Sequence, residues 1–272
     1  MDPPWGGSTM KAASATTNRP GLAGILAMGF WAAAAAGLIY YLFSVYNPAL
    51  VERYGERYLS GLYITVKFVA VSFVIGAALS VPVAFGRLST NRIARGTASG
   101  FVNFFRGTPF IAQIFLIYYG LGSFRAEFET VGLWWFFRDP WYCAVLAMVL
   151  NTAAYQAEIL RGAIQGVARG QWEGARSLGI PPVIAFFKVI LPQAMMVALR
   201  PYANELILMV KSSAIIAIVT VFDLFGVTRR AYSQTYDFQT YVWAAVIYLL
   251  IVETIRNLTV LAERRLTRHL VR

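Results

Sequence analysis

Long apolar segments set the strongest limit on how this chain can fold. Six segments of about 20 residues or more are nearly free of charge, and each is long enough to cross a lipid bilayer as a helix. Within a bilayer every backbone N–H and C=O group must find its partner inside the protein, so runs of this length predict helices. The expected fold is therefore an all-α membrane protein with six transmembrane helices, at residues 22–46, 59–86, 101–122, 141–163, from near 187, and 241–261.

Basic residues are distributed unevenly between the segments that connect the apolar runs. Residues 87–100 hold three arginines and no acid, and residues 161–188 hold four basic residues against the single acid Glu173. Cytoplasmic loops of membrane proteins are enriched in Lys and Arg. If successive connections alternate across the membrane, thirteen basic residues lie on one side and six on the other. The pattern therefore predicts six spans with both termini in the cytoplasm.

The chain divides by composition into four parts. Residues 1–20 are rich in Pro, Gly, Ser and Thr and predict a disordered tail. Residues 21–57 predict an extra N-terminal transmembrane helix with an external loop, since the apolar run is too long for the core of a signal peptide. Residues 58–265 are expected to form the main transmembrane domain, and residues 266–272 a cytoplasmic tail.

Several classes of function are excluded by residue types that the chain lacks or holds only once. Cys143 is the only cysteine and His269 the only histidine, so neither an internal disulfide nor a Cys/His metal site can form. None of the four lysines follows a glycine, as the phosphate-binding G-K-[ST] motif requires. The net charge of +11 comes from loops between apolar runs, which argues against nucleic acid as a partner. We therefore expect no enzyme activity of the chain's own, no cofactor and no metal.

A polar, basic connection between the fourth and fifth spans stands out in a chain that is 58% hydrophobic. It predicts a short helix that contains Glu173 and ends at Gly179, because glycine adopts the left-handed conformation of a helix C-terminus at least cost. The Pro-Pro pair that follows cannot continue that helix. A new helix is expected from about Val183, with Pro192 inside it. By composition alone, an ordinary amphipathic connector on the lipid surface accounts for the short helix as well.

Charged side chains inside a predicted span are costly unless they are paired or hydrated, so each needs a reason. Glu158 shares one helix face with Tyr155 and Asn151 in the fourth span. Two alternatives stay open for its carboxylate. It meets the ammonium or guanidinium group of a substrate, or it forms a structural ion pair, for example with Arg161 or Lys211.

The fifth predicted span raises the same question. Lys211 and two serines interrupt its apolar run, which predicts a span followed by a short external half-helix of a kind that often lines a transport pathway. Glu205 and Ser212 are seven residues apart and share a face. For the polar residues of this span, a structural or gating role is favoured over direct substrate contact. The candidates for a substrate pathway are Asn151, Tyr155, Glu158, Asn204, Glu205, Lys211 and Ser212.

The polar connection resembles the EAA loop of bacterial ABC-importer permeases, in which E-A-A-x-x-x-G is followed, after nine residues, by I-x-L-P. Two positions depart from that pattern, since Gly174 replaces the middle alanine and Val189 replaces the isoleucine. The resemblance implies a coupling helix that docks in a cleft of a cytoplasmic ATPase, with Glu173 as its charged group. The positions that match are Glu173, Ala175, Gly179, Leu191 and Pro192.

Other stretches resemble permeases of the histidine/lysine/arginine/ornithine class of polar amino acid importers, to which octopine and nopaline importers are closely related. These stretches are Arg106–Pro109, Leu150–Tyr155, Asn204–Met209 and Asp223–Leu224. The resemblance covers about residues 58–265. It implies a type I ABC importer transmembrane domain of five spans, to which residues 1–50 are an addition.

The resemblance also implies a function and a set of partners. The chain would be the permease subunit of an ATP-driven, binding-protein-dependent importer in the bacterial inner membrane. Its partners would be a periplasmic amino acid-binding protein, a homologous second permease or a second copy of itself, and a dimer of ATPase subunits. Because Glu158 suits a cationic group, basic amino acids or opines are the expected substrates. The alternative is a secondary transporter or channel without an ATPase partner, although the sequence shows no internal repeat that would favour it.

Overall fold

The computed structural model describes residues 21–44 and 46–266, so the predicted tail at residues 1–20 and the predicted C-terminal tail beyond Leu266 lie outside the described residues. The described chain is helical and contains no strand. Helix α1 belongs to a first compact unit that ends at Asn47, and the later helices form a second unit from Pro48. The helices are α1 (Leu22–Ser44), α2 (Pro48–Leu88), α3 (Arg92–Gly107), α4 (Phe110–Phe115), α5 (Arg125–Thr130), α6 (Trp134–Phe137), α7 (Pro140–Gln165), α8 (Arg169–Ser177), α9 (Pro182–Ala185), α10 (Leu191–Ser213), α11 (Leu224–Thr235) and α12 (Gln239–Leu266). Wider or tighter helical turns extend three of them, over Leu116–Gly120, Phe186–Ile190 and Ala214–Val219.

Five helical segments of the described chain are long and apolar enough to cross a membrane, and a bent pair of helices provides a sixth. The predicted all-α membrane fold with about six transmembrane helices is therefore confirmed. One span is longer than predicted, because α2 begins at Pro48 and runs for 41 residues. A helix of that length measures about 60 Å, roughly twice the thickness of the apolar layer.

The third predicted span, residues 101–122, is not one straight helix. α3 and the helix that begins at Phe110 meet at an angle of 106°. Pro109 has no N–H to donate to the carbonyl of Phe105, and it disfavours a helical conformation at Thr108, which is extended (φ −111°, ψ 145°). The break leaves backbone carbonyl groups that other side chains must satisfy.

The predicted short helix is α8, and it ends as its sequence predicts. Gly179 has a φ of +66°. Its N–H donates to the carbonyl of Arg176 at 2.9 Å, and the N–H of Ile180 donates to the carbonyl of Ala175 at 3.0 Å. These two bonds form a Schellman cap, which satisfies carbonyl groups at the helix end and favours glycine at the left-handed position.

The next helix begins at Pro182, one residue before the predicted start, and contains Pro192 as expected. Just before Pro192 the helical turn is widened, and the N–H of Leu191 donates to the carbonyl of Phe186, five residues earlier. In a regular α-helix the ring of Pro192 would clash with the carbonyl four residues before it, so the wider turn accommodates this proline.

α2 and α7 make the largest helix–helix contact of the described chain. A Cβ atom added at Gly76 would stand 2.4 Å from Cγ2 of Thr152, so glycine is required for this close approach. Small side chains on the facing side of α7 have the same effect, as is usual where helices associate in membranes. The fully buried alanines of α7 are Ala144, Ala147, Ala153, Ala154 and Ala157.

The second part of the fifth span breaks where its sequence predicts. α10 ends at Ser213, a tighter helix follows to Val219, and the chain turns at Thr220 in the left-handed conformation (φ 63°). A carboxylate oxygen of Asp223 accepts a hydrogen bond from the N–H of Gly226 at 2.8 Å and caps α11. α11 lies in the connection between the fifth and sixth predicted spans. Its buried apolar side chains pack against α2, which is distant in sequence, and against α12, which follows it.

Candidate functional site

A polar cavity of about 280 Å³ lies between α7, α10 and the break that separates α3 from α4. Four of the seven residues predicted for a substrate pathway line it, namely Asn151 and Tyr155 from α7, and Glu205 and Ser212 from α10. Residues one or two helical turns apart point to the same side, which is why each helix contributes a pair. The remaining lining residues are Thr108, Pro109, Phe110, Met148, Leu208 and Met209.

Glu205 is the acid of this cavity and is almost fully buried, with 5% of its surface exposed. Oγ1 of Thr152 donates a hydrogen bond to its Oε1 at 2.9 Å. Nε2 of Gln156 donates to the same Thr152 oxygen at 3.1 Å. Within the described ranges, no Lys or Arg forms an ion pair with Glu205. A buried carboxylate with one hydrogen bond and no ion-pair partner retains the capacity to accept a cationic group.

Arg106 was not predicted for the pathway, yet the structure places it against a wall of the cavity. Its guanidinium group lies over the ring of Tyr155, 5.2 Å from the ring centroid. The positive charge acts electrostatically on Glu205 and on Glu158. The site therefore combines a buried carboxylate that lines the cavity with a guanidinium group that contacts one of the lining residues, Tyr155.

Gln113 was also missed by sequence reasoning, and it connects the helix break to the cavity. Its residue is 3% exposed. Nε2 donates to the carbonyl oxygens of Phe105 at 2.8 Å and Thr108 at 3.1 Å, which the break leaves without helical donors. Oε1 accepts a hydrogen bond from Nδ2 of Asn151 at 2.9 Å. The signal that could have found this residue is Pro109, because a proline inside a span frees a carbonyl that a polar side chain one turn later can reach.

Replacing Gln113 with leucine is expected to lower the thermal stability of the purified protein by several degrees. The carbonyl of Thr108 would lose the donor Gln113, and that of Phe105 would keep only the longer bond from Nδ2 of Asn151 at 3.2 Å. A buried group left unsatisfied costs about 1–3 kcal/mol. The matched control is Gln171→Leu, since Gln171 is exposed and its side chain accepts a hydrogen bond from the side chain of Gln193 rather than from a backbone group. Equal melting temperatures for the two variants in detergent would contradict the role assigned to Gln113.

Glu158 lies outside the cavity and is held by two arginines. Its carboxylate pairs with Arg87 of α2 at 2.5 Å and with Arg161 one turn along α7. Arg161 also donates to the side-chain oxygen of Gln165 at 2.6 Å. Of the two alternatives left open by the sequence, the structure shows the ion pair with Arg161, and Lys211 takes no part in it. Arg87 is a partner that the sequence could not indicate, because 71 residues separate it from Glu158.

The two other predicted pathway residues, Asn204 and Lys211, are exposed on α10 and do not line the cavity. Among residues 21–44 and 46–266, no group of three or more His, Cys, Asp and Glu side chains is arranged to hold a metal ion. The chemistry available at the site is therefore that of hydrogen bonds, one buried carboxylate and the neighbouring guanidinium group.

The second predicted site, on α8, has an exposed side and a packed side. Glu173 and Gly174 are exposed, whereas Ala175 is 5% exposed and faces the protein. Leu178 follows the helix, just before the capping residue Gly179, and is 78% exposed. An exposed leucine beside an exposed acid on a short helix is typical of a docking surface for another protein.

The packed side of α8 joins the surface to the transmembrane helices. Trp172 packs against the buried cluster formed by α7 and α10. Nε2 of Gln193, on α10, donates to Oε1 of Gln171 at 3.1 Å. Leu191 and Pro192 lie at the start of α10, directly after the widened turn. A force applied to α8 would thus be transmitted to α10, which carries Glu205.

Comparisons with known proteins identify relatives over most of the chain. The family model described as "Binding-protein-dependent transport system inner membrane component" matches residues 72–268. The nopaline transport system permease protein NocM of Agrobacterium fabrum is 41% identical over 222 residues, which cover 81% of this chain and 92% of that protein. The histidine/lysine/arginine/ornithine transport system permease protein HisM of Salmonella typhimurium is 39% identical over 225 residues, with coverage of 82% and 95%.

Solved structures agree with these sequence relatives. A chain of an amino acid ABC transporter with histidines superposes with a TM-score of 0.70 and 34% identity, over 79% of this chain and 96% of that chain. The MetNI methionine ABC transporter gives a TM-score of 0.66 at 23% identity, with coverage of 79% and 99%, and shows the shared fold.

Proposed function

Because this chain belongs to the family of binding-protein-dependent transport system inner membrane components, and is thus a permease subunit of an ABC importer, we propose that its substrate is a basic amino acid or an opine. The observation that carries the proposal is the buried acid Glu205 in a polar cavity at membrane depth, without a cation of its own among the described residues. A cationic ammonium or guanidinium group of the substrate would supply the missing charge. Family membership argues against the alternative of a carrier or channel that works without an ATPase.

The cavity suits a substrate that carries charges of both signs. Glu205 would accept hydrogen bonds from the cationic end. Arg106, which lies over the ring of Tyr155, would bind a carboxylate of the substrate, because its guanidinium group offers paired hydrogen-bond donors. Asn151 and Ser212 add neutral hydrogen-bonding groups between these two ends. Substrate contact would therefore rest on Glu205 rather than on Glu158, which is already neutralised by two arginines.

The remaining pathway candidates receive different roles in this proposal. Glu158 would brace α7 against α2 through Arg87, below the substrate cavity. Asn204 and Lys211, exposed on α10, would reach the pathway only from the side that a second permease covers. That second permease is a homologous subunit or another copy of this chain.

The α8 surface would couple the permease to an ATPase dimer. Glu173, Gly174 and Leu178 would dock in a cleft of the ATPase, and Ala175 and Gly179 would hold the shape of the helix. Closure of the ATPases on ATP would move α8 and, through the contact between Gln171 and Gln193, the start of α10 at Leu191 and Pro192. Transport energy would therefore come from a separate subunit, since this chain has no P-loop.

The proposed topology follows from the same coupling. If α8 faces the cytoplasm, alternation of six spans puts both termini in the cytoplasm, and α5, α6 and α11 on the periplasmic side. Residues 58–265 would form the importer domain, and residues 21–57 an additional helix with an external loop. A periplasmic amino acid-binding protein would deliver substrate to the outer face.

Purification of the tagged chain from native membranes in mild detergent tests the proposal first. A P-loop ATPase and a second permease are expected to co-purify. ATP hydrolysis by this complex, reconstituted with its binding protein, should be stimulated by lysine, arginine, ornithine or an opine, and less by neutral amino acids. A chain that purifies without an ATPase would overturn the coupling proposal, and equal stimulation by neutral amino acids would overturn the substrate class.

A further inference from the structure

A second cavity, of about 340 Å³, lies between the N-terminal part of α2 and α11, toward the opposite end of α2 from Arg87. Two arginines line it, Arg57 from α2 and Arg230 from α11, and we call it the Arg57–Arg230 cleft. The other lining residues are Tyr54, Ser60, Phe222 and Val227.

Aromatic rings hold both arginines in place. The guanidinium group of Arg57 lies 5.5 Å from the ring centroid of Tyr54, and that of Arg230 lies 5.4 Å from the ring centroid of Phe222. Tyr54 is itself fixed, since it is 1% exposed and its hydroxyl donates to Oε1 of Gln234 at 2.6 Å. The two cations are thus oriented before any partner arrives.

Neither arginine is neutralised within the part of the chain that the structure describes. The ion pairs there involve other arginines, and no carboxylate lies within ion-pair distance of Arg57 or Arg230. Two like charges that share a small cleft repel each other. An arrangement of this kind is stabilised when an anion with two acceptor oxygens enters, because arginine binds carboxylates through paired hydrogen bonds.

The arginines at the cleft are also an exception to the charge distribution expected for external loops. In the topology proposed above, the periplasmic segments hold six basic residues, and four of them, Arg53, Arg57, Arg229 and Arg230, belong to these two helix segments. External loops of membrane proteins are normally poor in Lys and Arg. Four arginines close together on the outer face do not mark the cytoplasmic side of the protein, so they indicate a function at this place.

The position of the cleft along the membrane normal indicates a partner in the aqueous phase. Arg57 precedes Arg87, at the other end of α2, by thirty residues. This distance along the helix is about 45 Å, which equals the thickness of a bilayer with its headgroups. The cleft therefore opens at the outer limit of the headgroup layer.

One large, exposed aromatic side chain lines the cleft. It is Phe222, of whose surface 52% is exposed. Arginine and aromatic residues are the types enriched in the binding hot spots of protein–protein interfaces. The composition favours a protein surface as the occupant.

We propose that the Arg57–Arg230 cleft is the docking site for an acidic side chain of the soluble binding protein that delivers substrate to this permease. This inference rests on the proposed function and adds the residues that receive the partner. The carboxylate would enter between the two guanidinium groups, and the exposed ring of Phe222 would shield the contact from water.

The test uses the complete importer with its ATPase in lipid nanodiscs, titrated with its purified, substrate-loaded binding protein. The double variant Arg57→Glu/Arg230→Glu should raise the binding protein concentration that gives half-maximal stimulation of ATP hydrolysis by about tenfold or more. ATP hydrolysis without binding protein should not change. Added NaCl should weaken stimulation of the wild type more than that of the variant.

Two further variants keep the proposal open to contradiction. Arg229→Glu makes the same charge change on the neighbouring residue of α11, which does not line the cleft, and should have little effect. Arg57→Gln/Arg230→Gln removes the charges without reversing them and should produce a smaller shift in the same direction, which covers the case that the reversed variant does not fold.

Each possible result of these measurements supports or overturns the proposal. A shift in the double variant that Arg229→Glu lacks supports the proposal, whereas no shift, or an equal shift in Arg229→Glu, overturns it. A loss that appears only in nanodiscs with phosphatidylglycerol would assign the cleft to a lipid headgroup and would also overturn it. If the binding protein fails to stimulate the wild type, the proposed function falls together with this inference.

Discussion

Replacing Glu173 with lysine is expected to abolish substrate uptake while the chain still inserts into the membrane. Glu173 is exposed on α8, and within the described chain no ion pair holds its carboxylate. If the carboxylate meets a cation of the ATPase, a reversed charge at this position repels that cation and leaves it buried without a partner. Removing one member of such a pair typically weakens an interface by about thirtyfold or more.

The measurements are uptake of radiolabelled substrate by whole cells, and the amount of ATPase that co-purifies with the variant. The matched control is Glu127→Lys on α5, an exposed acid that also lacks an ion pair among the described residues. The control should transport and retain its ATPase as the wild type does. Normal uptake by Glu173→Lys would contradict the coupling role of α8.

Replacing Glu205 with glutamine is expected to raise the KM for a cationic substrate by about tenfold or more, because a hydrogen bond to a charged group is worth more than one between neutral groups. Glutamine has nearly the same shape and can still accept the hydrogen bond that Thr152 donates to Glu205. The fold should therefore be preserved, and the loss should come from the missing charge. The concentration dependence of uptake, compared for a basic and a neutral amino acid, measures the effect.

Glu158→Gln is the control that separates the two acids of this region. It would leave Arg87 and Arg161 without the carboxylate that now joins them, so we expect a lower melting temperature with little change in KM. The reverse result, in which Glu158→Gln selectively weakens binding of cationic substrates and Glu205→Gln does not, would return the substrate contact to Glu158.

The long apolar segments were sufficient to predict the membrane fold, because each helix in a bilayer satisfies its own backbone groups and depends little on its neighbours. The end of α8 could be predicted for a similar reason. A left-handed residue is a local requirement, and Gly179 meets it with a φ of +66°. The pattern that resembles the EAA loop also lies in one continuous stretch, so its spacing can be recognised along the chain.

Helix boundaries and bends could be predicted less well from the sequence. The early start of α2 and the helix α11 depend on contacts between their own side chains and those of α12. A bend at Pro109 could have been predicted from the proline. Its angle of 106° could not, because the angle depends on which side chain satisfies the freed carbonyl groups. In this chain that side chain is Gln113.

The sequence by itself determined which residues are polar at membrane depth, since a charge inside an apolar run is visible as such. Only the tertiary structure decided what each of them does. Glu158 and Glu205 are both acids inside predicted spans, yet Arg87 reaches the first from 71 residues away in sequence. Within the described chain the second has no ion-pair partner and lies in a cavity formed by three helix segments. Electrostatic pairing depends on distance in space, and a helical periodicity contains that information only for residues on the same helix.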